Sequence, residues 1–270
     1  MSLPIFQIDA FADKPFAGNP AAVVFLDHQH DSVWMQSVAT EMNLSETAFV
    51  RRLAANRFEL RWFTPNEEAD LCGHATLATA HALWESDSVQ NRSDIRFESR
   101  SGELIVKSLT ASIELNFPIV PADECDAPDG LLESLRVDGE SIPATYVGRN
   151  KFDYVIEVSE PAIVHAVQPE FEQLKQIDAR GIIVTAQDVA ESRFDFISRF
   201  FGPAAGIDED PVTGSAHCCL ADYWGRRLRK SELIAYQASN RGGTVEMTVM
   251  GDRVLLRGQA VTILRGTLEA

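Results

Sequence analysis

Positive charge is scarce in this 270-residue chain: 24 Lys and Arg stand against 40 Asp and Glu, a formal net charge of −16. That balance excludes an electrostatic nucleic-acid binder, which needs a basic face to meet the phosphate backbone. The one dense basic run, Arg226, Arg227, Arg229 and Lys230, reads as the end of a helix, where cations are favoured. Cysteine is also sparse. Cys72, Cys125, Cys218 and Cys219 make no disulfide framework for a chain this long, and the absence of a CxxC pair removes the usual structural zinc signature. Apolar runs stay short of the ~18 residues that a membrane span needs. The N-terminal MSLPIFQIDAF has neither a basic n-region nor a long apolar stretch. The expectation is a reduced, soluble, cytoplasmic protein without membrane or nucleic-acid partners. GxGxxG, Walker A, GxSxG and HExxH patterns are missing as well, so dinucleotide, ATP, serine-hydrolase and zincin chemistry lack support.

Short strand-like stretches are plentiful. Phe58–Trp62 alternates apolar and polar residues, as a half-buried strand does. Residues 21–26, 46–50, 103–109, 112–117, 152–158, 181–186, 194–201, 244–250 and 252–258 read the same way. Helices are fewer: Ser32–Met42, a candidate at Pro169–Gln176, and two runs of unusual composition. Ala75–Trp84 carries no Asp, Glu, Lys or Arg, and small side chains occupy every face; Val212–Leu220 has the same character. A helix apolar all round is a buried helix. Strands that dominate without regular alternation with helices indicate an α+β fold.

The two apolar runs belong to a longer echo. Gly73 and Gly214 lie 141 positions apart, as do Ala75 and Ala216, and Gly102 and Gly243; Phe63-Thr64-Pro65 precedes Phe201-Gly202-Pro203 by 138. Matches in one order, near half the chain length, imply two similar domains rather than a solenoid. The boundary is expected in Pro118–Gly130, giving domains 1–117 and 118–270. In each half a glycine turn leads into a buried helix whose free N–H groups and dipole could hold an anion. Close packing is the alternative reading of both glycines. If the two halves face each other, both helix starts could point into one cleft holding a small carboxylate.

Several residues could carry chemistry, and each has a plain structural reading. Strand alternation puts Glu46, in NLSETAFV, on a row with Ala48 and Val50, where desolvation would raise its pKa towards use in proton transfer. His74 follows Gly73, Ser215 follows Gly214 and Asp210 precedes Pro211; each could instead serve as a helix cap or first-turn residue. Cys72 could be a reactive thiolate or a buried thiol. His28 and His30, in LDHQHD, could take a stray metal ion, but a solvated acidic loop is the better reading, and no metal site is expected.

The stretches DAFADKPFAGNPAAVV, NLSETAFV, FTPNEEADLCGHATLA, SRSGEL, EDPVTGSAHC and NRGG, in that order, resemble the phenazine-biosynthesis PhzF-like isomerase family across nearly the whole chain. The resemblance implies a diaminopimelate epimerase-like fold: two pseudo-symmetric domains, each a mostly antiparallel strand barrel around a central helix, with the last strand available to pair with the first domain. It implies cofactor-independent proton transfer on a small carboxylate, moving a proton along a conjugated system. Glu46 would be the catalytic acid/base, His74 and Asp210 its partners, and Gly73, Gly214 and Ser215 substrate contacts. A homodimer is also implied. The related epimerases use two cysteines, one from each half. Cys72 matches the first, but the second half reads Pro211-Val212-Thr213-Gly214 where a cysteine would be needed, so a two-thiol racemase is disfavoured. Epimerisation or dehydration of a hydroxy- or amino-acid through Glu46, and a binding protein that has lost catalysis, remain the alternatives.

Overall fold

The computed structural model describes residues 2–189 and 192–269. Its secondary structure is strand-dominated α+β. Contacts divide it into two compact units: Met1–Phe117 with Leu255–Ala270, and Pro118–Val254.

In the first unit, β1 (Ser2–Ala10) pairs antiparallel with β2 (Asn19–Leu26), and β2 runs parallel to β3 (Glu46–Ala54). β3 is antiparallel to β4 (Arg57–Phe63), which is antiparallel to the short β5 (Glu68–Ala69) and parallel to β6 (Ile95–Ser99). β7 (Gly102–Ser108) and β8 (Ile113–Pro118) continue antiparallel. The strand Ala260–Glu269 lies against β1. A parallel pair cannot be closed by a hairpin and needs a crossover. The two parallel steps therefore take the unit's two α-helices, α1 (Ser32–Met42) between β2 and β3, and α2 (Gly73–Glu85) between β4 and β6.

The second unit repeats this pairing scheme internally. Strands 144–149, 153–158, 181–187, 196–202, 207–210, 232–237 and 243–250 pair as β1 to β7 do, with the parallel steps again at the second-to-third and fourth-to-sixth strands. The long helix Gly214–Leu228 fills the crossover that α2 fills in the first unit.

α2 is buried from His74 to Ala80 without a break and packs on β1, β2 and β3. Alanine on every face permits that close approach, and Leu77 and Leu83 fill the space between. Its buried threonines are satisfied within the helix: Thr76 donates to the Cys72 carbonyl at 2.5 Å and Thr79 to the Ala75 carbonyl at 2.7 Å. The Gly214–Leu228 helix is buried through Leu220 and Ala221, but its last two turns expose Arg226 and end at Arg229 in the left-handed region. The alternation expected for β3 is absent, because Thr47, Ala48, Phe49 and Val50 are all buried. The reason is that β3 is covered twice. Phe49 packs with Met35, Val38 and Ala39 of α1, while α2 lies across its other face. The helix expected at Pro169–Gln176 is confined to Phe171–Leu174, because Pro169 is taken up in strand pairing with Leu135.

Candidate active site

The start of β2 is delivered by a glycine. Gly18 sits at φ +63°, and a Cβ there would lie 2.1 Å from the Ala10 carbonyl oxygen, so another residue would spread the turn. The loop before it is pinned by Asp9, whose carboxylate accepts the Phe16 backbone N–H at 2.8 Å. The next residue, Asn19, is fully buried opposite Ala10.

Asn19, Glu46, Cys72 and His74 converge in this unit. Glu46 is the first residue of β3 and His74 the second residue of α2. Glu46 Oε2 lies 3.2 Å from His74 Nε2, with 14 % of the Glu46 side chain and 4 % of the His74 side chain exposed. On the far side of the imidazole, Nδ1 is 3.2 Å from Asn19 Nδ2 and 3.5 Å from Cys72 Sγ. Burial drives the His74 pKa down to about 3, which keeps the ring neutral near pH 7. A carboxyl group on the edge of a buried site, in contact with a neutral imidazole, has the two features of an acid/base pair: access and a fixed partner. Cys72 occupies the N-cap position of α2 and makes no side-chain cap, so the capping role weighed for neighbouring residues is not used at this helix start.

Asp210, Gly214 and Ser215 lie in the second unit. Asp210 ends the strand Ile207–Asp210, and its carboxylate accepts the Thr213 hydroxyl at 2.5 Å. Gln237 completes this cluster. It accepts the Thr213 backbone N–H at 2.8 Å and donates to the Asp210 carbonyl at 2.7 Å. Thr213 is the N-cap of the helix beginning Gly214-Ser215 and gives no side-chain cap. His217, one turn on, is fully buried; its Nδ1 donates to the Thr213 carbonyl at 2.8 Å, and burial drives its pKa down to about 4. Asn19, Thr213, His217 and Gln237 were not singled out in the sequence. The available signals were weak: an Asn between Gly and Pro at a strand start, and a His one turn into a buried helix.

Among the described residues, two clusters bring potential metal-ligating atoms within 4.8 Å of one another: Glu46, Cys72 and His74, and Asp27, His28 and His30. In the first, both ring nitrogens of His74 already face protein groups. In the second, His28 and Asp27 are exposed on the loop before α1. The remaining cysteines are poor nucleophiles. Burial pushes Cys218 and Cys219 up to about 12. A groove of about 620 Å³ opens beside α1, lined by Ser32, Gln36, Thr40, Phe63, Glu68 and Arg100. None of the candidate site residues Glu46, Cys72, Gly73, His74, Asp210, Gly214 and Ser215 lines it.

Known proteins bear on this geometry directly. The profile of the PhzC-PhzF family, described as phenazine biosynthesis-like protein, matches residues 8–266. A protein of Halalkalibacterium halodurans named an uncharacterized isomerase is 51 % identical over 268 residues, 99 % of each chain. The crystal structure of a PhzF-family phenazine biosynthesis protein from Enterococcus faecalis superposes with a TM-score of 0.91 at 38 % identity, covering all of both chains. A hydroxyproline epimerase from Agrobacterium vitis shares the fold alone, with a TM-score of 0.66 at 11 % identity over 99 % of this chain and 92 % of that one. A match of this extent places the chain in the PhzC-PhzF family of phenazine biosynthesis-like proteins.

Proposed function

We propose that this protein is a cofactor-independent isomerase of a small carboxylate-bearing metabolite, with Glu46 carrying the proton. The observation that supports this most is the contact of Glu46 with a neutral, buried His74. The isomerase name of the Halalkalibacterium relative supports the reaction class.

The chemistry needs one carboxyl group. The Glu46 carboxylate removes a proton from a carbon adjacent to a conjugated system, and the electron pair of that C–H bond moves along the system. The Glu46 carboxylic acid then returns the proton to a carbon further along, and the double bonds exchange places with no net change in composition. His74 holds the carboxyl in position and steadies its charged form. The substrate carboxylate is suited to the start of α2 at Gly73, where backbone N–H groups carry no side-chain cap and the helix dipole favours an anion. For Asp210, Gly214 and Ser215 we propose a role in binding the same class of compound, on the similar uncapped start of the second helix.

Epimerisation or dehydration of a hydroxy- or amino-acid is the second reading, and it has the epimerase fold behind it. It would also use Glu46, because Pro211 stands where a second thiol would be required. Incubation with dihydro-hydroxyanthranilate and a panel of small hydroxy- and amino-acids, followed by NMR and mass analysis, separates the readings. A shifted double bond at constant mass supports isomerisation; inversion at one carbon or loss of water supports the second reading. Tight binding of a compound that is never converted would sink both in favour of a binding protein.

A further inference from the structure

We propose that Asn19 is a positioning residue that locks His74 in its Nε2–H tautomer, so that the single ring proton points at Glu46. The link to catalysis rests on Glu46 being the proton carrier; the tautomer itself does not.

Matching donors to acceptors around the ring fixes its proton. A neutral imidazole has one N–H and one lone pair. The amide nitrogen of Asn19 can only donate, and it lies 3.2 Å from Nδ1. Nδ1 must therefore present its lone pair, and the proton resides on Nε2. That nitrogen lies 3.2 Å from Glu46 Oε2, on the side of the ring where a carboxylate favours a donor. The opposite tautomer would set N–H against N–H at Asn19 and lone pair against carboxylate at Glu46, two repulsive contacts around a buried ring. Cys72 Sγ, 3.5 Å from Nδ1, is compatible with the first arrangement, since a thiol donates weakly to the same lone pair. Glu46, Asn19 and Cys72 each present a polar atom to the ring. Burial supports the assignment by holding His74 neutral, which leaves one proton to allocate. His217 offers an internal contrast. Its Nδ1 meets a carbonyl oxygen, an acceptor only, so its ring proton sits on Nδ1.

The placement of Asn19 is built in. Gly18 at φ +63° and the antiparallel pairing of Asn19 with Ala10 fix the backbone from which the amide reaches the ring. An aspartate there would keep the size and reverse the polarity, turning a donor into an acceptor.

The test is nitrogen NMR of the whole chain with 15N-labelled histidine at pH 7, with His74→Gln used to assign the resonance. Wild type is expected to show a protonated Nε2 and a bare Nδ1 at His74, and the reverse pattern at His217. A protonated Nδ1, or an imidazolium, at His74 would overturn the proposal. In Asn19→Asp the His74 proton is expected on Nδ1, or the ring becomes an imidazolium that titrates; kcat falls at least tenfold with KM changed less than threefold. Asn19→Ser, which removes the amide donor without adding charge, is expected to give both tautomers in exchange. An unchanged His74 pattern in the folded Asn19 variants would assign the tautomer to some other group and overturn the role of Asn19. A Glu46→Gln variant that keeps full activity while wild type shows Nε2–H would instead remove Glu46 as carrier and leave the tautomer standing.

Discussion

Glu46 Oε2 and His74 Nε2 lie 3.2 Å apart, and each belongs to the first turn or first residue of its element: β3 for Glu46, α2 for His74. Element ends are where a buried backbone can present a functional side chain without giving up core packing. Behind the pair, Ala48 and Val50 of β3 and Ala75, Leu77 and Ala78 of α2 are 3 % exposed or less, so the scaffold is rigid where the carboxyl group needs it.

Acid will destabilise the fold through its buried imidazoles. His74 and His217 have folded pKa values depressed to about 3 and about 4, whereas an unfolded histidine titrates near 6.5. The unfolded chain therefore binds more protons below pH 6.5, so stability is fully present above that value and is lost as pH falls towards the folded values. Each imidazole contributes up to ~1.4 kcal/mol per pH unit in that window. Urea unfolding between pH 6 and 4.5 should show a stability slope in His217→Gln shallower by about one proton than in wild type. Equal slopes would mean that His217 takes up a proton in the folded state.

Gly18→Ala should destabilise the first unit. The φ of +63° disfavours any L side chain, and the added Cβ would collide with the Ala10 carbonyl oxygen. A loss of at least ~1 kcal/mol in urea unfolding is expected, together with a drop in activity because Asn19 follows directly. Wild-type stability would show that the turn relaxes without cost.

Leu77→Ala tests whether α2 is the close-packed centre that its burial indicates. Leu77 is fully buried, in a helix whose neighbouring residues are alanines and threonines. The expected loss is ~2–5 kcal/mol. A loss below 1 kcal/mol would mean that the site refills.

The buried helices were legible in the sequence for a simple reason: runs without charge on any face have no solvent side to offer. Gly73 and Gly214 do open those helices. Glu46 was legible mainly through its motif, because strand alternation assumed one exposed face and residues 47–50 of β3 have none; a single sequence does not reveal that α1 and α2 cover opposite sides of that stretch. Asn19 and Gln237 were not legible at all. Both are buried amides whose meaning lies in partners 55 and 24 to 27 residues away, distances at which local pattern carries no information.

Cys72→Ala should retain turnover within about tenfold of wild type, because the thiol lies against His74 Nδ1 and Pro211 stands where a second thiol would be needed. The loss expected of a general acid or base is ~10²- to 10⁴-fold. A Cys72→Ala variant that loses activity on that scale, with unchanged stability, would place the thiol among the proton carriers.

The central claim is that Glu46 moves the proton, and deuterium wash-in tests it most directly. Wild type and Glu46→Gln are incubated in D2O with the compound that wild type converts, and deuterium at each carbon is followed by NMR. The account predicts uptake at the carbon that gains the proton in wild type, and a rate lower by ~10²- to 10⁴-fold in Glu46→Gln. Equal uptake by both proteins would contradict it.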